Sequence, residues 1–262
     1  MALTQNEVHS AAERLDYAEK TRAQIRQISL EHPGITIADA YAIQKAWVEM
    51  KVAKGRVVKG HKVGRTSKAM QSALNINEPD SGILLDDMFF ADGGLVPTDR
   101  FIATRVEAEL AFVMRMRLAG PGCTLFDVLN ATDFVVPALE ILDTRIERVD
   151  AQTKSTRKIF DTIADNAANA GIVLGGRPIR PLDTDLRWIG ALCYRNDQLE
   201  ETGLAAGVLN HPATSVAWLA NKIAPNGLAL EAGQWCWRVR SSARSRPAKV
   251  TRSRPITVPM AR

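Results

Sequence analysis

The chain has 262 residues, 46% of them hydrophobic and 24% charged, which is an ordinary globular composition with ample material for a core. No apolar run is long enough to span a membrane, and the N-terminus lacks the hydrophobic segment of a signal peptide. The three cysteines (Cys123, Cys193 and Cys236) are far apart, which argues against a disulfide framework and a thiolate metal site. We therefore expect a cytoplasmic protein.

The net charge of +5 comes from one end of the chain. Residues 235–262 contain seven Arg and one Lys and no acidic residue. Removing them from the 34 basic residues leaves 26, against 29 acidic residues, so the rest of the chain is mildly acidic. Basic residues interleaved with aromatic ones over a folded surface would indicate nucleic-acid binding, and this pattern is missing. We expect no nucleic-acid partner.

Two amphipathic helices are predicted at the N-terminus. The first begins with the capping-box spacing of residues 4–7 and continues at helical intervals to a stop at His32. The second begins at Thr36 and ends at Gly55. Residues 1–56 are therefore interpreted as an N-terminal helical region.

From Val57 onward, short apolar runs alternate with Gly, Pro, Asn and Asp, which is typical of β-structure. Helices near 124–131 and at 212–224 interrupt this pattern, and Asn196-Asp197 predicts a hairpin turn. Helices followed by a run of strands indicate an α+β fold. The predicted strands are 57–63, 82–86, 105–114, 134–142, 171–175, 187–195 and 228–233.

Two acid-bearing apolar runs are the strongest functional signal. Glu107 and Glu109 lie two residues apart in a predicted strand, so they project from the same face. Glu140 lies in a second apolar run. Neighbouring carboxylates repel, and a hard cation such as Mg²⁺ or Mn²⁺ relieves the repulsion. The alternative is that the two glutamates form a solvated strand face.

Other motifs are ambiguous when taken singly. Lys62 lies between two glycines, where it could transfer protons or bind an anion, or be a surface lysine in a turn. Asp80 could project over a cleft or belong only to a turn. The segment containing Asp161 and Asn166 could be a helix start or lie behind a site.

Taken together and in order, these motifs resemble one protein family. Residues 10 to 234 resemble the 2-oxo-acid hydratases of aromatic meta-cleavage pathways, which belong with the 4-oxalocrotonate decarboxylases to the fumarylacetoacetase-like superfamily. The motifs are G-H-K-V-G, T-S-K-A-M, N-E-P-D-S-G, L-L-D-D-M-F-F, R-V-E-A-E-L-A-F-V, P-A-L-E-I-L-D, F-D-T-I-A-D-N-A-A-N-A-G and G-V-L-N-H-P-A.

The resemblance implies a mixed β-sheet roll over residues 57–234, preceded by helices, in a homo-oligomeric enzyme. It also implies Mg²⁺ or Mn²⁺ bound by Glu107, Glu109 and Glu140, and a 2-oxo diacid substrate. A 2-oxo acid chelates a divalent cation, and the cation stabilises the enolate on the way to water addition. The implied acid/base groups are Lys62 and Asp80, and which of them donates the proton stays open. The implied substrate-binding residues are Arg65 (the family more usually has Leu there), Asp161 and Asn166.

Three alternatives remain. A decarboxylase of the same family would use the same metal site to expel CO₂. An inactive relative would act as a structural partner subunit; the intact glutamate set argues against this alternative, and the altered tail argues for it. A binder of nucleic acid or anionic surfaces would use the basic tail and show a steep salt dependence.

The resemblance stops after Gln234. Residues 235–262 replace the closing strands of the family with Arg-, Ser- and Pro-rich sequence. A one-base shift of reading frame turns a family-like Val-Val-Leu-Ala-Gly-Ser into Trp-Cys-Trp-Arg-Val-Arg, so we interpret this tail as a frameshift product. The rival interpretation is a genuine basic, disordered tail. Loss of core strands would expose a sheet edge and impair folding or activity.

Overall fold

The computed structural model describes residues 2–67, 71–72 and 76–238. Its N-terminal part contains helices α1 (Gln5–Thr21), α2 (Ile28–Glu31) and α3 (Ile37–Ala53). The capping boxes of α1 and α3 are both present, at Thr4 and Thr36. The first predicted helix does not run to His32. Its last helical residue is Thr21, and the C-cap residue Arg22 has a left-handed backbone conformation (φ 58°). The chain then forms a β-bridge between Ile25 and Ile146.

A seven-stranded mixed sheet follows. Its strands are β1 (Val58–Gly64), β2 (Asp80–Leu85), β3 (Phe89–Phe90), β4 (Arg105–Met114), β5 (Thr132–Leu142), β6 (Asn169–Leu174) and β9 (Trp235–Arg238). They lie in the order β2-β1-β9-β4-β5-β6-β3, and the pairs are antiparallel except β1 with β9 and β3 with β6. Asn169 at the start of β6 donates a hydrogen bond to the Ile83 carbonyl of β2 (3.1 Å), so distant parts of the sheet meet and it curls. The predicted α+β roll behind N-terminal helices is confirmed.

Strand β9 corrects the expectation for the start of the tail. Trp235–Arg238 pairs in parallel with β1 and antiparallel with β4, in the interior of the sheet. The close approach requires Gly60 on β1, because a Cβ there would lie 1.8 Å from the Trp235 carbonyl oxygen. A strand therefore joins β1 to β4, and the sheet continues beyond the boundary predicted at Gln234. Residues 239–262, with the rest of the tail predictions, lie outside the described residues.

A separate two-stranded sheet is formed by β7 (Gly190–Arg195) and β8 (Gln198–Leu204). The two residues that join these strands, Asn196 and Asp197, both have positive φ (51° and 63°), which confirms the predicted hairpin turn. The strand predicted at 228–233 is wrong. Only Leu230 forms a bridge there, to Leu118, and the chain then turns at Gly233 (φ 79°).

The sheet is covered on both faces. Helices α1 and α3 pack on one face with Ala111, Val136 and Ile172, and α5 (Ile159–Ala164) joins them. Helices α4 (Leu125–Ala131) and α6 (Pro212–Ile223) pack on the other face, against Phe112 and Val135. Within the described part of the chain, no helix combines the length and the apolar character needed to cross a membrane.

Candidate metal centre and active site

The pairing of β4 with β5 brings three glutamates together. Glu107 lies directly opposite Glu140 in the antiparallel register, and Glu109 lies opposite Ala138 on the same face. The three residues are 5%, 6% and 0% exposed. Each offers a carboxylate oxygen, and these oxygens all lie within 4.8 Å of one another. The two acid-bearing runs of the sequence thus form one buried cluster.

Lys62 reaches this cluster from β1. Lys62 pairs with Trp237 of β9, and Trp237 pairs with Ala111 of β4. Ala111 lies two residues after Glu109, so Lys62 is on the face of the sheet that carries the glutamates. Its ammonium nitrogen lies 3.0 Å from Glu140 Oε1, and the two side chains are 3% and 0% exposed. Burial at this depth requires such a pairing, because an isolated charge away from water is costly.

The donor set fits a divalent metal ion. Two carboxylates 4.8 Å apart repel by about 3.5 kcal/mol at an effective dielectric constant of about 20. The three glutamates and the Lys62 ammonium together carry two net negative charges, which one divalent cation balances. Carboxylate oxygens are the ligands that Mg²⁺, Mn²⁺ and Ca²⁺ prefer.

Asp80 lies on the same face, at the start of β2 opposite Gly64 of β1. It is 2% exposed, and its Oδ1 accepts no hydrogen bond from the residues that the structure describes. A Cβ on Gly64 would lie 2.1 Å from Asp80 Oδ1 and 3.6 Å from Lys62 Nζ. The two predicted acid/base groups therefore border one small space, which only glycine at position 64 leaves open.

Arg65 binds the other oxygen of this carboxylate. Its Nε donates to Asp80 Oδ2 (3.0 Å), and one terminal nitrogen donates to Thr162 Oγ1 of α5 (3.1 Å). The side chain is 13% exposed. The predicted role of Arg65 in substrate binding stays a prediction, but its described contacts are with the protein.

The other two predicted substrate-binding residues have contacts that hold the fold together. Asp161 accepts hydrogen bonds from the Ser29 amide and hydroxyl (2.9 and 2.7 Å) and from the Lys158 amide (2.8 Å), which ties α5 to α2. Asn166 bonds both the amide and the carbonyl of Ile83 on β2 (2.7 and 2.8 Å). Their roles in substrate binding stay predictions, and the contacts described here are structural ones.

Tyr41 of α3 is a neighbour of the site that sequence reasoning missed. Its hydroxyl accepts a hydrogen bond from the Ser81 amide (3.2 Å), next to Asp80. Burial raises the pKa of Tyr41 to about 12, and the nearby charge of Asp80 adds to the shift. Nothing in the sequence distinguishes Tyr41 from the apolar residues of its helix.

No protein-family model matches the chain, but individual relatives do. A 2-oxo-hept-4-ene-1,7-dioate hydratase from Escherichia coli is 66% identical over 223 residues, which cover 85% of this chain and 84% of the relative. A 4-oxalocrotonate decarboxylase from Pseudomonas putida G7, solved with magnesium and adipate, is 34% identical with a TM-score of 0.87. The match covers 94% of this chain and 91% of that chain. The same relative has also been solved with calcium and acetate.

A more distant structure shows the fold alone. A fumarylacetoacetate hydrolase family protein from Yersinia pestis CO92 is 16% identical with a TM-score of 0.51, and the match covers 72% of this chain and 85% of that chain. The identity and coverage of the nearer relatives are enough to assign the family. The chain belongs to the family of 2-oxo-acid hydratases and 4-oxalocrotonate decarboxylases, within the fumarylacetoacetase-like fold.

Proposed function

We propose that the protein is a divalent-metal-dependent hydratase that converts 2-oxo-hept-4-ene-1,7-dioate and water to 4-hydroxy-2-oxoheptanedioate. The observation that carries the proposal is the buried set of Glu107, Glu109 and Glu140 with Lys62 beside it, in a chain 66% identical to a hydratase of that name. From this substrate we also propose that the protein acts in the meta-cleavage breakdown of homoprotocatechuate.

The three glutamates would hold the metal, and we propose Mg²⁺, with Mn²⁺ as an alternative that suits the same oxygen ligands. The metal supplies Lewis acidity, which polarises the carbonyl of a chelating 2-oxo acid. The cluster lies on the face of the sheet that also carries Lys62 and Asp80. A substrate held at the glutamates would therefore extend past the Lys62 ammonium toward Asp80.

Lys62 and Asp80 supply complementary groups for moving protons. The reaction moves a proton from C3 to C5, which brings the double bond into conjugation with the 2-oxo group. Water oxygen then bonds to C4, and one water proton ends on C3. We assign the accepting role to Asp80, a carboxylate with Oδ1 facing the space above Gly64, and the donating role to the Lys62 ammonium.

A decarboxylase reaction is the second candidate. It is favoured by the TM-score of 0.87 with the 4-oxalocrotonate decarboxylase, but that relative is 34% identical, against 66% for the hydratase. The two reactions share the metal site and differ in product. Release of CO₂ from a 2-oxo diacid would identify the decarboxylase.

We also propose that the protein acts as a homo-oligomer. Large apolar side chains are exposed on and beside the β7–β8 hairpin, which supports an interface between copies of the chain. Sedimentation of the purified protein tests this, and a monomer at micromolar concentration would contradict it. These side chains are Leu182 (71%), Trp188 (65%), Tyr194 (45%) and Leu199 (51%).

An ultraviolet assay tests the proposed reaction. Purified protein is incubated with enzymatically generated 2-oxo-hept-4-ene-1,7-dioate, with Mg²⁺ or with EDTA, and the product is identified by mass spectrometry. We expect Mg²⁺-dependent addition of water that is lost in Glu107→Ala. The matched control is Glu49→Ala, because Glu49 is an exposed glutamate on α3. Hydration that survives EDTA and Glu107→Ala would overturn the proposal, and CO₂ release would favour the decarboxylase.

A further inference from the structure

We propose that Arg65 is a positioning residue that fixes the orientation of the Asp80 carboxylate, so that one oxygen faces the protein and the other faces the substrate. The inference deepens the proposed hydratase function and rests on it. It assigns to Arg65 a role different from capture of the distal substrate carboxylate.

Arg65 divides its hydrogen bonds between Asp80 and Thr162. Its Nε binds Asp80 Oδ2 (3.0 Å), and a terminal nitrogen of the same guanidinium binds Thr162 Oγ1 (3.1 Å). The guanidinium is planar and rigid, so two anchored nitrogens fix its plane. The Asp80 carboxylate is thereby held from one side and linked to α5.

The contacts of Arg65 leave the other oxygen of Asp80, Oδ1, on the side of Gly64 and Lys62. Asp80 Oδ1 is buried and lies 2.1 Å from the point where a Cβ of Gly64 would be, and Lys62 Nζ lies 3.6 Å from the same point. Lys62 in turn lies 3.0 Å from Glu140 of the carboxylate cluster. Oδ1 therefore borders the space beside Lys62, which contacts the candidate metal site, while Oδ2 is bound by Arg65.

The backbone conformation of Arg65 supports the same role. Arg65 has a positive φ of 56°, which is costly for a residue with a side chain. The side-chain amide of Gln71 donates a hydrogen bond to the backbone carbonyl oxygen of Arg65 (2.7 Å). Strain of this kind persists only where surrounding contacts impose it. Here it turns the chain directly after Gly64 and sends the guanidinium back to β2.

Electrostatics supports the same assignment. Asp80 is 2% exposed, and a carboxylate buried to this extent needs a cation or hydrogen-bond donors. Arg65 supplies both on the Oδ2 side, so Oδ1 can accept the proton removed from C3, while the Lys62 ammonium donates the proton that carbon receives. The electron pair of the broken C–H bond moves into the new double bond, so no oxidant or reductant is needed.

The test uses Arg65→Met, Arg65→Lys and Thr162→Val with two substrates, the seven-carbon diacid and 2-oxopent-4-enoate, which lacks the distal carboxylate. Methionine and lysine are unbranched side chains somewhat shorter than arginine, and both carry the same backbone cost at φ 56°. We expect Arg65→Met to lower kcat about 100-fold with both substrates, as expected for a misplaced acid/base group, with KM changed less than about threefold. Arg65→Lys should recover part of the rate, and Thr162→Val should lower it by less than Arg65→Met.

Capture of the distal carboxylate predicts a different pattern. In that case Arg65→Met would raise KM for the diacid and leave the five-carbon substrate unaffected, and this result would overturn the proposal. A crystal structure of Arg65→Met provides a readout that needs no activity. We expect the Asp80 carboxylate to rotate away from Gly64, and an unmoved carboxylate would also overturn the proposal. A wild-type protein inactive on both substrates would refute the proposed function, and the crystal structures would still decide the role of Arg65.

Discussion

The isosteric changes Glu109→Gln and Glu140→Gln should destabilise the metal-free protein to different extents, although both remove one carboxylate from the same cluster. Carboxylate oxygens within 4.8 Å of one another repel by about 3.5 kcal/mol per pair at an effective dielectric constant of about 20. Glu109→Gln removes part of this repulsion. In EDTA we therefore expect Glu109→Gln to lower the free energy of unfolding by less than Glu140→Gln does.

Glu140→Gln also removes the partner of the buried Lys62 ammonium, which lies 3.0 Å from Glu140 Oε1. Loss of one partner of a buried ion pair costs about 3–5 kcal/mol, and we expect about 3 kcal/mol because the dipole of the amide oxygen still faces the ammonium. The two variants thus differ in stability in EDTA, although each has the same chemical change in the same cluster.

Magnesium should separate the wild type from both cluster variants. A ligand at a hundredfold excess over its Kd stabilises the folded protein by about 2.7 kcal/mol, which is a rise in Tm of about 5–10 °C for a chain of this size. We expect this rise in the wild type and in the exposed control Glu49→Gln, and little rise in the two cluster variants.

The assay is thermal unfolding followed by circular dichroism, in EDTA and in Mg²⁺. Two results would refute the reasoning. One is a Glu109→Gln protein as destabilised in EDTA as Glu140→Gln. The other is a Glu109→Gln protein stabilised by Mg²⁺ as much as the wild type.

Further predictions concern the surroundings of the cluster. Gly64→Ala should abolish hydration but keep the Mg²⁺-dependent rise in Tm, because the new Cβ would lie 2.1 Å from Asp80 Oδ1; activity close to that of the wild type would contradict this. Ala167→Gly should raise the free energy of unfolding, as measured by chemical denaturation, by about 1 kcal/mol. The reason is that Ala167 has a φ of 53°, a left-handed conformation that glycine adopts at lower cost. Burial lowers the pKa of His61 to about 4. As the pH falls, His61 therefore takes up its proton in the unfolded chain before it does so in the folded protein. The free energy of unfolding should fall by up to about 3 kcal/mol as the pH drops from about 6.5 to about 4. In His61→Asn this component of the pH dependence should be absent from denaturation curves, and an unchanged dependence would show that His61 is not its source.

The glutamate cluster could be foreseen because its signal is local. A period of two in β4 places Glu107 and Glu109 on one face whatever the strand pairs with. The register that sets Glu107 opposite Glu140 depends on the pairing of two strands, and periodicity does not contain it. The family resemblance supplied that link.

Tertiary contacts account for what the sequence did not reveal. The first helix was predicted to reach His32 because apolar spacing continues, whereas the chain turns at Arg22 so that Ile25 can bridge to Ile146. A strand was predicted at 228–233, whereas the central position is taken by Trp235–Arg238. Such partners are distant in sequence and leave no local pattern.

The central claim is that Glu107, Glu109 and Glu140 bind the divalent metal that the reaction needs. Anomalous X-ray diffraction from crystals grown with Mn²⁺ tests this most directly, because the map locates the ion without reference to activity. The account predicts one strong anomalous peak within coordination distance, about 2.2 Å, of oxygens of all three glutamates. A cluster without a peak at saturating Mn²⁺, or a peak bound by other residues, would contradict it.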